Sequence, residues 1–302
     1  MDRKPRASSR ALGGGWGASR TRAPATSAVP SRLVGAGFGR RCSVIVRIVS
    51  LCPSTTETLV DLGLASSLVG VTRFCIHPAE VVRGLRKVGG TKDPDVEGIV
   101  DLAPDLVLMN AEENRREDHA ALAARLRVDV SHPRRVDEVP ALLRRWGALT
   151  GTEARAEARA TEVEDALAAL SREAEAVRPW RYLYVIWRGP WMAAGQGTYI
   201  SDLLARAGGV NVVEAPDYPV VDPAALAPDV VLMPDEPFPF ADKHRPELGA
   251  LLPAARLELV SGDDACWHGV RTLRGLAWLR ALVAQRASLA AEGTSRAGSP
   301  AP

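Results

Sequence analysis

"LAPDLVLMNAEEN" spans Leu102–Asn114, and "LAPDVVLMPDEPF" spans Leu226–Phe238, 124 positions later. In each, a Pro-Asp turn feeds a short apolar run, and acids follow the run. A continuous apolar run bounded by turn residues reads as a strand of a parallel sheet, buried on both faces. Ligands of such sheets bind beyond the carboxyl ends of the strands. The same layout written twice predicts two similar halves with a cleft between them.

The flanking periods agree. "VIVRIVSL", "LVGV", "DLVLM" and "RVDV" are strand-like runs. Around them lie helical segments: "STTETLVDLGL", with Ser54 or Thr55 as N-cap, "DPDVEGIVDLAPD", stopped at Pro104, "NRREDHAALAARL", and "VDEVPALLRRWGALTG", closed by Gly151. Residues 152–177 hold no Gly or Pro and are mostly Ala, Glu, Arg and Leu. They predict one amphipathic helix of about seven turns, ended by Pro179. Alternation then resumes through "RYLYVIW", "WMAAG", "TYISDLLARAGG", "LAPDVVLM" and "RLELV", and a last helix runs from Val270 to about Leu289. The fold class is therefore α/β, with parallel sheets in two lobes joined by one long helix. The predicted boundaries are 44–150 and 179–290 for the lobes and 151–178 for the connecting helix. Residues 1–43 read as a disordered tail or as sequence ahead of the true start, and 291–302 as a second loose tail.

The 302 residues are 46% hydrophobic and 25% charged, with a net charge of +2. Residues 1–42 carry nine Lys/Arg and one acid, leaving 29 basic and 35 acidic residues, about −6, in the remainder. A mildly acidic body argues against nucleic acid as a partner. Cys42, Cys52, Cys75 and Cys266 are too scattered for a disulfide framework. No apolar run is long enough for a membrane span. "LVGAGFG" before "RRC" is a poor signal peptide, which leaves a cytoplasmic location open.

The strand ends collect unusual residues. After "LVGV" comes "TRFCIHP", with Arg73, Cys75 and His77; after the first repeat strand come Glu112, Glu113, Asn114 and Arg115. "YVIW" ends at Trp187 and is followed by Arg188, Trp191 and then Tyr199. Asp235, Glu236 and Phe240 follow the second repeat strand, and "CWHGVR" brings Cys266, Trp267, His268 and Arg271 after "RLELV". Each also has a plain structural reading: cysteines as small apolar residues, acids as helix first turns, tryptophans as core. Converging loops predict a cleft in which Arg73, Arg115, Arg188 and Arg271 pair with the acids around an aromatic patch. No P-loop, GxGxxG or GxSxG motif occurs. A metalloenzyme using Cys75/His77 and Cys266/His268 is the alternative, on a spacing that is a weak zinc signature. Binding without turnover fits better.

On these residues the chain resembles a known family. "RIVSLCPSTTETLVDLGLASSLVGVTRFCIHP", "KVGGTKDPDVEGIVDLAPDLVLMNAEEN", "GTYISDLLARAGGVNVV" and "YPVVDPAALAPDVVLMPDEPFPF" resemble the helical backbone metal receptors. These are class III substrate-binding proteins of ABC importers, and the likeness is to the cobalamin-binding branch, over about Arg47 to Leu282. The resemblance implies two Rossmann-like lobes on a rigid helix, a monomer, and an extracytoplasmic location. It implies a ligand that is cobalamin or another large metal chelate, no covalently bound cofactor, and an ABC permease as partner. Trp267 matches a cleft tryptophan of the cobalamin binders, and Glu97 of "DVEGIV" matches the first-lobe glutamate that docks on the permease. The second-lobe docking glutamate would fall in "VDPAAL", where this chain has Pro223 and Ala224.

Overall fold

The computed structural model describes residues 47–297; residues 1–46, which hold the expected N-terminal tail, and 298–302 lie outside that range. The first sheet contains β1 (Ile48–Ser50), β2 (Leu68–Val71), β3 (Leu106–Asn110) and β4 (Val128–Ser131), all parallel, in the order β2-β1-β3-β4. Helices α1 (Pro53–Asp61), α2 (Ala79–Val82), α3 (Val96–Asp101), α4 (Arg116–Ala123) and α5 (Val139–Thr150) connect and follow its strands. After α6 (Glu153–Ala174) comes the second sheet: β5 (Trp180–Trp187), β6 (Met192–Ala193), β7 (Gly209–Asn211), β8 (Val230–Pro234) and β9 (Arg256–Val260). Its order is β6-β5-β8-β9, with β7 beside the start of β5 and β6 antiparallel. The helices of this half are α7 (Tyr199–Ala205), α8 (Arg245–Leu251), α9 (Gly262–Cys266) and α10 (Thr272–Ala297).

The repeated sequence has a repeated structural cause. β3 and β8 each lie inside their sheet, flanked on both sides, and every residue of both is buried. The aspartate of each Pro-Asp turn ties its strand to the neighbour. Asp105 Oδ2 accepts from the Arg47 N–H at 2.7 Å, and Asp229 Oδ2 accepts from the Arg181 N–H at 2.8 Å. Alternation along the strands then feeds two cores per sheet. Leu106 and Leu108 face Trp146 and Ala156, while Val107 and Met109 face Ile99 and Leu122. In the second lobe, Tyr182, Tyr184 and Leu232 pack toward α6 and α10, and Leu183, Val231 and Met233 toward Leu248.

Helix α6 serves both lobes. Its Ala156 belongs to the first-lobe core, and Ala160, Val163 and Leu170 belong to the second. Arg159 adds a bidentate grip on Asp61 at the end of α1, at 2.7 and 2.9 Å. At 22 residues α6 is about 33 Å long.

Several boundaries differ from the sequence reading. The N-cap of α1 is Cys52, not Ser54 or Thr55, because Pro53 takes the first helical position, where its fixed φ suits the helix and its missing N–H costs nothing. α6 ends at Ala174, ahead of the expected stop at Pro179. α10 runs to Ala297, past the expected end near Leu289 and into the stretch read as a tail. Gly151 closes α5 in the left-handed region at φ 72°, as the sequence predicts.

Candidate functional site

The carboxyl ends of both sheets meet along one seam, and side chains cross it at several points. From the first lobe, Glu112 beyond β3 accepts a hydrogen bond from Tyr218 Oη at 3.2 Å. Arg134, beyond β4, donates to Asp217 and to the Gly197 carbonyl, each at 2.6 Å. His77, beyond β2, lies 3.5 Å from Asp263 and sets its ring edge-on to Trp267 at 5.8 Å. Below these, His268 reaches Ser54 Oγ at 3.4 Å and Ser131 Oγ at 3.5 Å. At the back of the seam the Val270 N–H donates to Thr58 Oγ1 at 3.2 Å.

The two acid clusters converge. Cys266 feels both: burial first, then the carboxylates of Glu236 and Glu113, push its thiol pKa far up. Glu236 comes from the second lobe and Glu113 from the first, so both clusters act on one point. Trp267 Nε1 donates to Glu236 Oε1 at 2.6 Å, and Cys266 Sγ lies 3.6 Å from the same oxygen. Burial and the adjacent Asp263 raise the Glu236 carboxyl well above the usual carboxylate range. The Glu113 carboxyl is also raised, by surrounding protein and then tempered by Lys92. Glu113 is nevertheless exposed to solvent. His268 is buried and its pKa is pushed down to about 4, chiefly by that burial.

The four cleft arginines do not meet these acids. Arg73 pairs with Asp93 at 3.0 Å, Arg115 with Asp118 at 2.8 Å, Arg188 with Glu247 at 2.6 Å and Arg271 with Glu57 at 2.7 Å. The expected ring of Arg–Glu/Asp pairs around an aromatic patch is thus not formed: Arg73, Arg115 and Arg188 pair with Asp93, Asp118 and Glu247, and Arg271 crosses the seam to Glu57 rather than to the acids of the repeat strands.

Other candidates divide by placement. His77, Glu113, Glu236, Trp267 and His268 gather at the seam, and Asp235 is held beside it by accepting from the Gly262 N–H at 2.7 Å. Trp187, Trp191 and Phe240 form a second-lobe aromatic cluster with Phe238. Trp191 stacks on Phe240 at 6.1 Å with planes 6° apart. Cys75, Asn114 and Tyr199 are buried within their own lobes. The Cys75 thiol accepts from Thr56, the Asn114 amide donates to Leu51 O and Thr91 O, and the Tyr199 hydroxyl bonds Thr272 at 2.7 Å. Arg271 is 4% exposed and bridges the lobes. Cys75 therefore stands in a core with its thiol bound to threonine, and among the described residues no group of three His, Cys, Asp or Glu is arranged to hold a metal ion. Glu97, the docking candidate on α3, is exposed and chelated by Arg125 at 2.7 and 2.9 Å.

Tyr218, Arg134 and Glu57 also belong to the seam but lie outside the strand-end motifs, whereas Asp263 lies within the strand-end stretch "SGDDACWHGVR" after "RLELV". Tyr218 lies in an irregular stretch whose neighbour Asp217 adopts φ 58°, and Arg134 leads into a 3-10 turn. Asp263 stands in the first turn of α9.

The family described as periplasmic binding protein matches residues 48–236. A cobalamin-binding protein of Halobacterium salinarum is 29% identical over 202 residues, 62% of this chain and 53% of that protein. The chain thus spans about half the length of that curated relative. A vitamin B12-binding protein of Vibrio cholerae is 24% identical over 223 residues, 73% of this chain and 79% of that one. The solved periplasmic vitamin B12 binding protein of Vibrio cholerae superposes with a TM-score of 0.70 at 21% identity, covering 80% of this chain and 97% of that one. That likeness is one of fold. A periplasmic heme binding protein from Pseudomonas aeruginosa gives 0.68 at 27% identity, covering 78% and 92%. With two lobes on a shared helix, a seam at the strand ends and a family match over more than half its length, the chain belongs to the periplasmic binding protein family.

Proposed function

We propose that the protein captures a corrinoid or another large metal chelate in the seam between its lobes and delivers it to an ABC permease outside the cytoplasm. The observation that carries this reading is the meeting of strand-end loops from both sheets around Glu112–Tyr218 and His77–Trp267. Relatives named for cobalamin, vitamin B12 and heme support a planar chelate as the class of cargo. The flat faces such ligands present suit the half-buried Trp191, which the buried Phe240 backs by stacking on it. Glu97 is the docking contact we assign to the first lobe. Its carboxylate would exchange the exposed Arg125 for a permease arginine at small cost, since exposed ion pairs are worth little. The second lobe offers Pro223 and Ala224 in a 3-10 turn at the matching place, so it lacks the glutamate that the first lobe presents.

Native mass spectrometry after expression in a corrinoid-making host tests the reading. A bound corrinoid at one per chain supports it. A chain that emerges empty and leaves its tryptophan fluorescence unchanged on titration with cyanocobalamin and with haemin overturns it.

A further inference from the structure

The loop after β2 holds apolar side chains in water by its construction. Cys75, at its centre, is buried, and its thiol meets the Thr56 and Thr72 hydroxyls, each at 3.1 Å. The Cys75 N–H closes a turn on the Thr72 carbonyl at 3.2 Å, and Lys87 Nζ lies 3.4 Å from the Cys75 carbonyl. The Arg73 N–H donates to the Gly89 carbonyl at 2.8 Å. With Cys75 pinned inward, its neighbours Phe74 and Ile76 stand in solvent, at 49% and 55% exposure. They are two of the five large apolar side chains exposed among the described residues, and these two alone share one loop. The Arg73 guanidinium lies 4.9 Å over the Phe74 ring. Single exposed apolar residues are ordinary, but a pair held out by a pinned loop marks a contact surface.

The charge around the pair has one sign. Residues 72–92 hold five Lys/Arg and one acid, Glu80, on a body that is otherwise acidic. Arg73 is taken by Asp93, Lys87 by the carbonyls of Cys75 and Val82, and Lys92 by the Glu112 carbonyl. Arg83 and Arg86 are exposed and make no ion pair among the described residues. Both stand beside the loop. Arg83 caps α2, whose Val82 carbonyl shares Lys87 with Cys75, and the Arg86 carbonyl accepts from the Val71 N–H at 2.9 Å.

Exposed apolar side chains beside unpaired guanidiniums fit a surface with an apolar interior and anionic headgroups, where insertion and charge attraction add. A stable protein interface needs about 800 Å² from each partner, more than Phe74 and Ile76 supply. We propose that Phe74 and Ile76 form a lipid-contact tip on the first lobe, with Arg83 and Arg86 taking anionic headgroups. The loop leaves the carboxyl end of an edge strand, and His77 on the same loop stands in the seam, so the tip turns the seam toward the bilayer. The contact stands whatever the seam carries.

Flotation with vesicles tests it. The full chain is mixed with vesicles of equal parts phosphatidylglycerol and phosphatidylcholine, or of phosphatidylcholine alone, beside Phe74→Ser/Ile76→Ser and Arg83→Gln/Arg86→Gln. Both variants keep the basic residues of 1–42, so attraction through that segment is common to all three proteins. The wild type is expected to favour the anionic vesicles at least about tenfold, and each variant to lose at least about fivefold of that binding, with melting temperature and cyanocobalamin titration unchanged. Should Phe74→Ser/Ile76→Ser melt early, Ile76→Ser alone, which keeps the Arg73–Phe74 contact, decides. No binding to anionic vesicles, or equal binding by the wild type and Phe74→Ser/Ile76→Ser, overturns the tip. Equal binding to both lipids, or an Arg83→Gln/Arg86→Gln variant that binds as the wild type does, overturns the recognition of anionic headgroups. Weaker cyanocobalamin binding by Phe74→Ser/Ile76→Ser with vesicle binding intact overturns the proposal and places the pair in the ligand site. Self-association in sedimentation velocity that the same variant abolishes, again with vesicle binding intact, overturns it in favour of a second copy of the chain.

Discussion

Arg271 of the second lobe forks onto Glu57 of the first, Nε to Oε2 at 2.8 Å and Nη2 to Oε1 at 2.7 Å, while its Nη1 reaches Asp264 at 3.2 Å. The guanidinium is 4% exposed, so it is a buried charge that depends on these two acids. Removing one member of such a pair leaves the other uncompensated. Arg271→Ala is expected to lower stability by about 3 kcal/mol in urea denaturation, and Arg271→Met, which keeps the volume, by clearly less. Equal losses for both would show that packing, not charge, is what Arg271 supplies.

His268 gives the protein an acid-sensitive point. Burial holds its folded pKa at about 4, below the value near 6.5 of an unfolded histidine. The unfolded chain therefore binds the extra proton first as pH falls. Stability is unaffected by this group above about pH 6.5 and declines between there and about pH 4, by on the order of 2–3 kcal/mol. Melting temperatures recorded from pH 7.5 to 4 should show this slope, and His268→Gln should flatten it. A variant with the wild-type slope would place the acid response in other groups.

Gly269 is fixed by how closely the lobes approach. It sits at φ 80°, and a β-carbon there would come 2.1 Å from Thr58 Oγ1, the atom that accepts from the Val270 N–H. Gly269→Ala combines left-handed strain with a clash across the seam and is expected to cost about 2 kcal/mol or more. Pairing it with Thr58→Ala removes the clashing hydroxyl, so the double variant should recover part of the loss by thermal melting.

What the sequence could reveal depended on period. Strands β3 and β8 were legible because burial on both faces leaves an unbroken apolar run with a Pro-Asp turn ahead of it. The same turn explains Asp105 and Asp229, although only the structure shows each carboxylate gripping the neighbouring strand's N–H. Seam residues on strand-end motifs, such as His77 and Trp267, could be read from position. Tyr218 and Arg134 could not, because irregular backbone has no period to place them. The arginine pairing was misread for a related reason. Adjacency along the chain put Arg73 and Arg115 near the acids, but Asp93 and Asp118 are nearer in space, and a planar guanidinium takes the carboxylate that best fits its fork.

Trp267 separates ligand binding from packing most sharply. Its indole N–H donates to Glu236 at 2.6 Å, the Arg271 guanidinium lies 5.1 Å above its ring, and His77 meets it edge-on. It is 8% exposed, so part of its role is structural. Trp267→Phe keeps an aromatic face and removes the stronger of the two donors, Trp267 and Cys266, that favour the charged form of Glu236, so the already raised pKa of that carboxyl should rise further. A raised folded pKa means the unfolded chain loses its proton first, so stability falls as pH climbs above the unfolded value near 4.3 and levels off only past the folded value. The melting deficit of Trp267→Phe relative to wild type should therefore be larger at pH 8.5 than at pH 5. Trp267→Ala should in addition weaken cyanocobalamin binding by on the order of 2 kcal/mol, the scale of a central aromatic contact. An alanine variant that melts early but binds cyanocobalamin as tightly as wild type would assign Trp267 to the seam's packing alone.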